Sequence, residues 1–214
     1  MTIRNKLIAI GDSLYFQVLT NELKGYQSVL DVGCGKDSPL KKVKCKICST
    51  GIDIFKKSII ESRKKKIHNK YVLGDIRHLP RYFKPKSIDA VVALDVIEHL
   101  DKKEALQLIR DMERIAKIKV ILLTPNGFCH QDDCDSNPYQ VHKTGWSKMD
   151  LENLGYRIFG LRGWKTLRGQ RAEIKYKPWI FWGFCSFLSE RLLYHFPSLS
   201  FDLLAVKKIA VDNG

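Results

Sequence analysis

Apolar positions at Leu7, Ile8, Leu14, Tyr15, Val18, Leu19 and Leu23 recur near helical spacing, which predicts an N-terminal helical segment over residues 1–25. Short apolar runs then predict strands over 29–32, 49–54, 70–74, 88–94 and 119–123. Residues 103–117 place Ala105, Leu106, Ile109, Met112, Ile115 and Ala116 on one face, the stripe of a helix packed on a core. Thr124-Pro125-Asn126-Gly127 ends the fifth strand, because proline and glycine interrupt regular pairing. Apolar strands alternating with crossover segments imply an α/β fold, with a mostly parallel sheet covered on both faces.

The later part of the chain has a different pattern. Residues 156–164 and 201–208 read as a late antiparallel pair. Between them, residues 178–200 form an insertion that opens with Trp179, Phe181, Trp182, Phe184 and Phe187. Its uncharged stretch, 179–189, is too short to span a bilayer, and Glu190-Arg191 interrupts its extension. Three readings stay open: a lid on an acceptor site, an interfacial helix making peripheral membrane contact through 178–195, or a core-packing insertion.

A length of 214 residues suits one domain over the whole chain, large enough to fold without disulfides. The six cysteines are scattered at unequal spacing and read as reduced thiols. Gly11 and Asp12 break the first apolar stretch, no signal peptide is legible, and a cytoplasmic location is expected. The formal net charge of +14 attracts polyanions such as nucleic acid or anionic headgroups. The lysines of 41–46 and the basic run 63–66 fall where crossover helices or their ends are expected, so a solvated helix face explains them equally well.

Asp31-Val32-Gly33-Cys34-Gly35 ends the first strand. Glycines without Cβ let the turn be tight and let a ligand lie against the main chain, before a helix that should follow. A third glycine is replaced by Asp37, so the loop alone specifies no particular nucleotide-like ligand. Asp53 ends the second strand 22 positions after Asp31, where a carboxylate can take both ribose hydroxyls. Gly74-Asp75-Ile76 follows the third strand, and Leu94-Asp95-Val96-Ile97-Glu98-His99-Leu100 the fourth. These ends fall on the one sheet edge where open α/β folds bind ligands.

This series resembles class I S-adenosylmethionine-dependent methyltransferases of the type 11 kind, over residues 29–35, 51–54, 73–75, 89–100 and 122–126. The segment from His142 to Trp146 and Asp150 to Tyr156 is similar to that family's later part. The resemblance implies a Rossmann-like seven-stranded sheet, mostly parallel, with helices on both faces and the last strand antiparallel. It puts Gly33, Cys34 and Gly35 against the methionine part of S-adenosylmethionine and Asp31 near its ammonium. Asp53 would take the ribose, Ile54 and Ile76 the adenine faces, Asp75 the adenine amino group, and the Leu94 backbone the methionine part. Acidic strand ends suit this cation better than they suit a dinucleotide, and no pyrophosphate needs the missing glycine.

Transfer from a sulfonium needs alignment above all, and a base only when the acceptor must lose a proton. His99 reads either as a pocket-facing base or as the cap of the following turn, and His142 beside Trp146 either lines the acceptor site or packs structurally. His130 is a weaker candidate, so the catalytic residue is left unassigned. Asn126, His142 and Trp146 are the expected acceptor contacts. Cys45, Cys48, Cys129, His130, Cys134 and His142 have zinc-ligand chemistry, yet nothing in the sequence brings them together, and no metal site is expected. Asn137-Pro138-Tyr139 resembles the loop of base-amino methyltransferases but does not follow the fourth strand, where that loop belongs. The expected activity is methyl transfer to a small-molecule or lipid-like acceptor. The alternatives are an RNA- or protein-directed methyltransferase using the basic surface, and a non-catalytic binding protein of the same fold.

Overall fold

The computed structural model describes residues 13–131, 137–169 and 172–210; the first half of the expected N-terminal segment, and Cys134, lie outside them. Helix α1 (Ser13–Leu23) precedes β1 (Ser28–Val32), β2 (Cys48–Asp53), α2 (Lys56–Lys64) and β3 (Lys70–Leu73). Then come β4 (Ile88–Leu94), α3 (Lys102–Ile115), β5 (Ala116–Pro125) and α4 (Lys148–Asn153). The chain closes through β6 (Arg157–Trp164), α5 (Trp179–Leu193) and β7 (Ser200–Lys208).

The seven strands form one sheet in the order β3-β2-β1-β4-β5-β7-β6. The first five pair in parallel, and β7 runs antiparallel between β5 and β6. Strand order reverses between β1 and β4, so the carboxyl ends of those neighbours diverge and open a crevice there.

Both faces of the central sheet are buried, which is why β1, β4 and the middle of β5 read as continuous apolar runs. On one face Leu108, Ile109, Met112 and Ile115 of α3 pack against Leu30, Val32, Val91 and Leu122. On the other, Tyr15, Leu19 and Leu23 of α1 pack against Val29, Val92, Ile121 and Leu204. Asp101 caps α3 by accepting the Glu104 N–H at 3.0 Å, a contact worth about 1 kcal/mol.

Two expectations are corrected. The glycine loop does not lead into an α-helix but into a single 3-10 turn, Pro39–Lys42. Leu40 is the one residue that this turn buries, too little apolar surface to hold a helix on the sheet, and α1 covers that face instead. Lys41, Lys42, Lys44 and Lys46 are therefore exposed on a turn and an extended segment rather than on a helix face. The basic run 63–66 does fall at the end of α2, as expected.

Helix α5 lies between the last two strands, and its amphipathicity is inverted. It buries Ser186, Glu190 and Leu193, while Trp179, Ile180, Phe181, Phe184, Leu188 and Leu192 are each more than half exposed. The cause is a close approach to β6. A Cβ on Gly160 would stand 2.2 Å from the Leu193 carbonyl oxygen, and one on Gly163 2.3 Å from that of Ser186. So close a seat on the two glycines of β6 leaves no room for the aromatic rings on that side, and they turn outward. Among the described residues, no helix is long and apolar enough to cross a membrane.

Candidate active site at the strand ends

The loop after β1 is fixed from below. The Gly33 and Cys34 N–H groups donate to the Ile52 carbonyl at 2.8 and 3.0 Å, and the Gly35 N–H donates to Asp53 Oδ2 at 2.8 Å. Gly33 and Gly35 adopt φ of 68° and 57°, the left-handed region that glycine enters without strain. A Cβ on Gly33 would press on Val96 at 2.8 Å, whereas one on Gly35 would meet nothing within 4 Å. Bare backbone at Gly35 thus faces a cleft of about 800 Å³, bounded by Gly33, Cys34, Phe55, Leu94, Asp95 and Arg162 among others.

The acidic strand ends differ in environment. Asp31 is buried beneath the loop, accepts a very short hydrogen bond from the Ser38 hydroxyl, and does not itself line the cleft. Burial pushes its pKa up to about 7, opposed by the Ser38 bond and reinforced by Asp53. Asp53 is also raised by burial, against the bonds it accepts from the Phe55 and Gly35 N–H groups. Asp75 lies at the next strand end, where the Arg77 guanidinium holds it below the ordinary carboxylate range. Ile54 and Ile76 are half-buried, and like Asp53 and Asp75 they are not among the residues bounding that cleft. Burial raises the Cys34 thiol far above its usual range, so the group is an inert wall rather than a nucleophile.

Several cleft residues escape sequence reasoning. Asp95 follows β4 with a φ of 57°, strained for a residue bearing a Cβ, and lines the cleft. Arg162, on β6 with a φ of 59°, places one guanidinium nitrogen 2.7 Å from the buried Asp202 and another 3.8 Å from Asp95. Tyr15, Asn137 and Gln140 complete the wall. Asp95 carried a weak signal as an acid directly after a strand. Arg162 carried none, because only the antiparallel ending of the sheet brings it to this edge.

Of the expected acceptor contacts, Asn126 directs its side-chain nitrogen at the Pro197, Ser198 and Ser200 carbonyls at 2.9–3.1 Å. Trp146 is fully buried, with the Lys102 ammonium 3.6 Å above its ring. Neither side chain lines the cleft, and both tie loops to the sheet. His99 and His142 stand together, ring centroids 4.8 Å apart, with buried Glu98 beside them. Burial lowers His99 to about 4 and lowers His142 as well, so both imidazoles are neutral at ordinary pH. Burial and the nearby Asp95 raise Glu98. His130 is exposed. Among the described residues, no metal-ligand cluster includes a cysteine.

Residues 30–124 match the family described as a methyltransferase domain, of type 11. An uncharacterised protein of Methanocaldococcus jannaschii is 25% identical over 161 residues, covering 71% of this chain and 67% of that protein. A S-adenosylmethionine-dependent methyltransferase from Archaeoglobus fulgidus superposes with a TM-score of 0.59 at 20% identity, covering 91% of each chain. Magnesium protoporphyrin IX methyltransferase from Synechocystis, solved with S-adenosylmethionine bound, superposes with a TM-score of 0.56 at 16% identity, covering 98% of this chain and 85% of that one. The methyltransferase solved in complex with the Trm112 activator of Haloferax volcanii gives 0.57 at 15%, covering 96% and 94%. These likenesses establish the fold, and the family match spans the glycine loop and all the acidic strand ends. Residues 30–124 thus match a methyltransferase domain of type 11, and the chain as a whole has the fold of S-adenosylmethionine-dependent methyltransferases.

Proposed function

We propose that the cleft at the β1 and β4 ends holds S-adenosylmethionine and that the acceptor is a lipid-like molecule taken from an anionic membrane surface. Bound there, the cofactor supplies an activated methyl group on a sulfonium. Gly33, Cys34 and Gly35 receive its methionine part, supported by the bare backbone that Gly35 turns to the cleft. The Leu94 backbone is assigned to the same part, supported by Leu94 being among the residues that line the cleft. Asp31 acts from beneath through Ser38, which does line the cleft. Asp53 takes the ribose hydroxyls, Asp75 the adenine amino group, and Ile54 and Ile76 the adenine faces.

The observation that carries the acceptor reading is the outward apolar face of α5. Six large side chains between Trp179 and Leu192 are each more than half exposed, a contiguous surface that soluble chains rarely leave bare. Lys175 and Lys177 stand just before the helix and Arg191 near its end, the basic flanks expected of an interfacial helix. The helix adjoins the cleft wall, since Glu190 Oε1 accepts the Arg162 N–H at 3.1 Å. One structural relative is named for an acceptor, magnesium protoporphyrin IX, that is itself large and largely apolar.

Two measurements test this. Calorimetry with S-adenosylmethionine should show one site, weakened at least about tenfold by Asp53→Ala, the equivalent of one lost hydrogen bond to a charged group. No binding, together with no effect of that change, would sink the cofactor placement. Flotation with vesicles containing anionic lipid should carry the protein upward at low and high salt alike. Trp179→Ala with Phe184→Ala should abolish it, since each side chain withdraws about 1.5–3 kcal/mol of apolar burial. Salt-sensitive binding to RNA and none to vesicles would replace the lipid reading with the nucleic-acid one.

A further inference from the structure

Beyond the cofactor cleft, the geometry points to a divalent metal site formed by Glu98, His99 and His142, whose ligand atoms lie within 4.8 Å of one another. The three come from two distant segments. Glu98 and His99 lie on the 3-10 turn Ile97–His99 after β4, and His142 on the loop between β5 and α4. That loop is stapled to the turn. The Lys143 and Thr144 N–H groups donate to the Glu98 carbonyl at 2.8 and 3.1 Å, and the Thr144 hydroxyl donates to the Leu100 carbonyl at 3.1 Å.

Two independent observations favour a cation over mere packing. First, both carboxylate oxygens of Glu98 are buried, and the groups that reach them are neutral donors, the Thr124 hydroxyl and its own backbone N–H, with no cation among the described residues. At 2% exposure the carboxylate is costly to keep ionised on neutral donors alone, and a bound cation removes that cost. Second, both imidazoles are oriented as metal-binding histidines are. His99 Nδ1 is 3.2 Å from the Val141 carbonyl oxygen and His142 Nδ1 is 2.6 Å from that of Cys129. A carbonyl can only accept, so Nδ1 of His142 carries the proton and its Nε2 keeps a lone pair for a ligand bond. The His99 ring has two carbonyl partners, Val141 and Asp95, and ligates through the nitrogen that an ion frees from Asp95.

Two imidazole nitrogens and one carboxylate oxygen suit a first-row divalent ion such as zinc, manganese or iron and leave coordination positions open. Asp95, which lines the cofactor cleft, stands three residues from Glu98 and acts electrostatically on both it and His142. Given the proposed cofactor placement, an open position there takes an oxygen of the acceptor. The ion then lowers the affinity of that oxygen for its proton, which answers the lack of an assigned base.

The test uses cobalt(II) chloride as the probe on full-length protein stripped with chelator. The expected result is one equivalent bound, with the weak visible bands of nitrogen and oxygen ligation and no intense thiolate band. Glu98→Gln and His142→Ala should each weaken binding by more than the roughly 10–100-fold that loss of a supporting partner costs. Cys45→Ser with Cys48→Ser should leave it unchanged. Circular dichroism and S-adenosylmethionine calorimetry on the same variants must stay near wild type, which separates a lost metal ligand from a lost fold or a misplaced cofactor. No cobalt binding, binding that survives both ligand substitutions, or binding that disappears with the cysteines overturns the site.

Discussion

Replacing Asp31 by asparagine should make the protein more stable at neutral pH, by an amount that grows as pH rises. The carboxyl is 2% exposed, and burial lifts its pKa from 3.8 to about 7. Below the unfolded value both states hold the proton, and the contribution to stability is complete. Between the two values the native state keeps a proton that the unfolded chain releases, so stability falls by about 1.4 kcal/mol per pH unit. Over the full interval the loss is about 4 kcal/mol, and about 3 kcal/mol of it lies between roughly pH 5 and pH 8. Asparagine keeps the shape without the titration. The asparagine oxygen can still accept from the Ser38 hydroxyl, and His68 Nε2 lies 3.4 Å from that same oxygen position. The histidine is itself lowered to about 4 by burial and stays neutral through this range. Urea unfolding of both proteins across that pH range is the assay, because in the difference between them the titrating groups that do not couple to Asp31 cancel. The variant's advantage should open by about 3 kcal/mol, roughly 5–12 °C in melting temperature. Parallel stability curves would show that Asp31 is ionised in the native state and that burial does not govern it.

Other outcomes follow from the close contacts. Gly35→Ala should cost only about 1–2 kcal/mol of stability through its left-handed φ, yet weaken S-adenosylmethionine binding tenfold or more, because its Cβ projects into the cleft; unchanged affinity by calorimetry would move the cofactor elsewhere. Gly163→Ala drives a Cβ onto the Ser186 carbonyl and should loosen α5, seen as faster proteolysis within residues 172–200 at unchanged far-ultraviolet helicity elsewhere. Arg162→Ala deprives the buried Asp202 of a cation at 2.7 Å and should cost about 3–5 kcal/mol in denaturant unfolding, much of it recovered by adding Asp202→Asn.

Much of the sheet was legible because each strand carries its own signal. The observed β1, β2, β3 and β4 begin and end within a residue of the expected spans. β1 and β4 are central and almost wholly buried, hence apolar, whereas β2 and the edge strand β3 are marked more by their β-branched and aromatic residues and the acids that follow them. β5 starts three residues earlier than its apolar core, directly at the end of α3, because Ala116 pairs with Ile88 of β4. Asp53 and Asp75 sit at strand ends, as the pattern of acids after apolar runs indicated. The helix expected after the glycine loop was lost to a deficit that local pattern underweights, one buried leucine being too little to hold a turn on the sheet.

What the sequence alone determined, then, is the sheet's early strands and the row of glycines and acids at their ends, because periodicity and strand-end chemistry are local properties of the chain. The tertiary structure decided the rest. It inserted β7 between β5 and β6, which carried Arg162 to the cleft, and it seated α5 on two glycines so that the aromatic face turned outward. It also folded His142 back against Glu98 and His99. Each of these depends on contacts between residues far apart in sequence. No local pattern encodes which backbone will approach closely enough to exclude a side chain, or which loop will be stapled beside a buried acid.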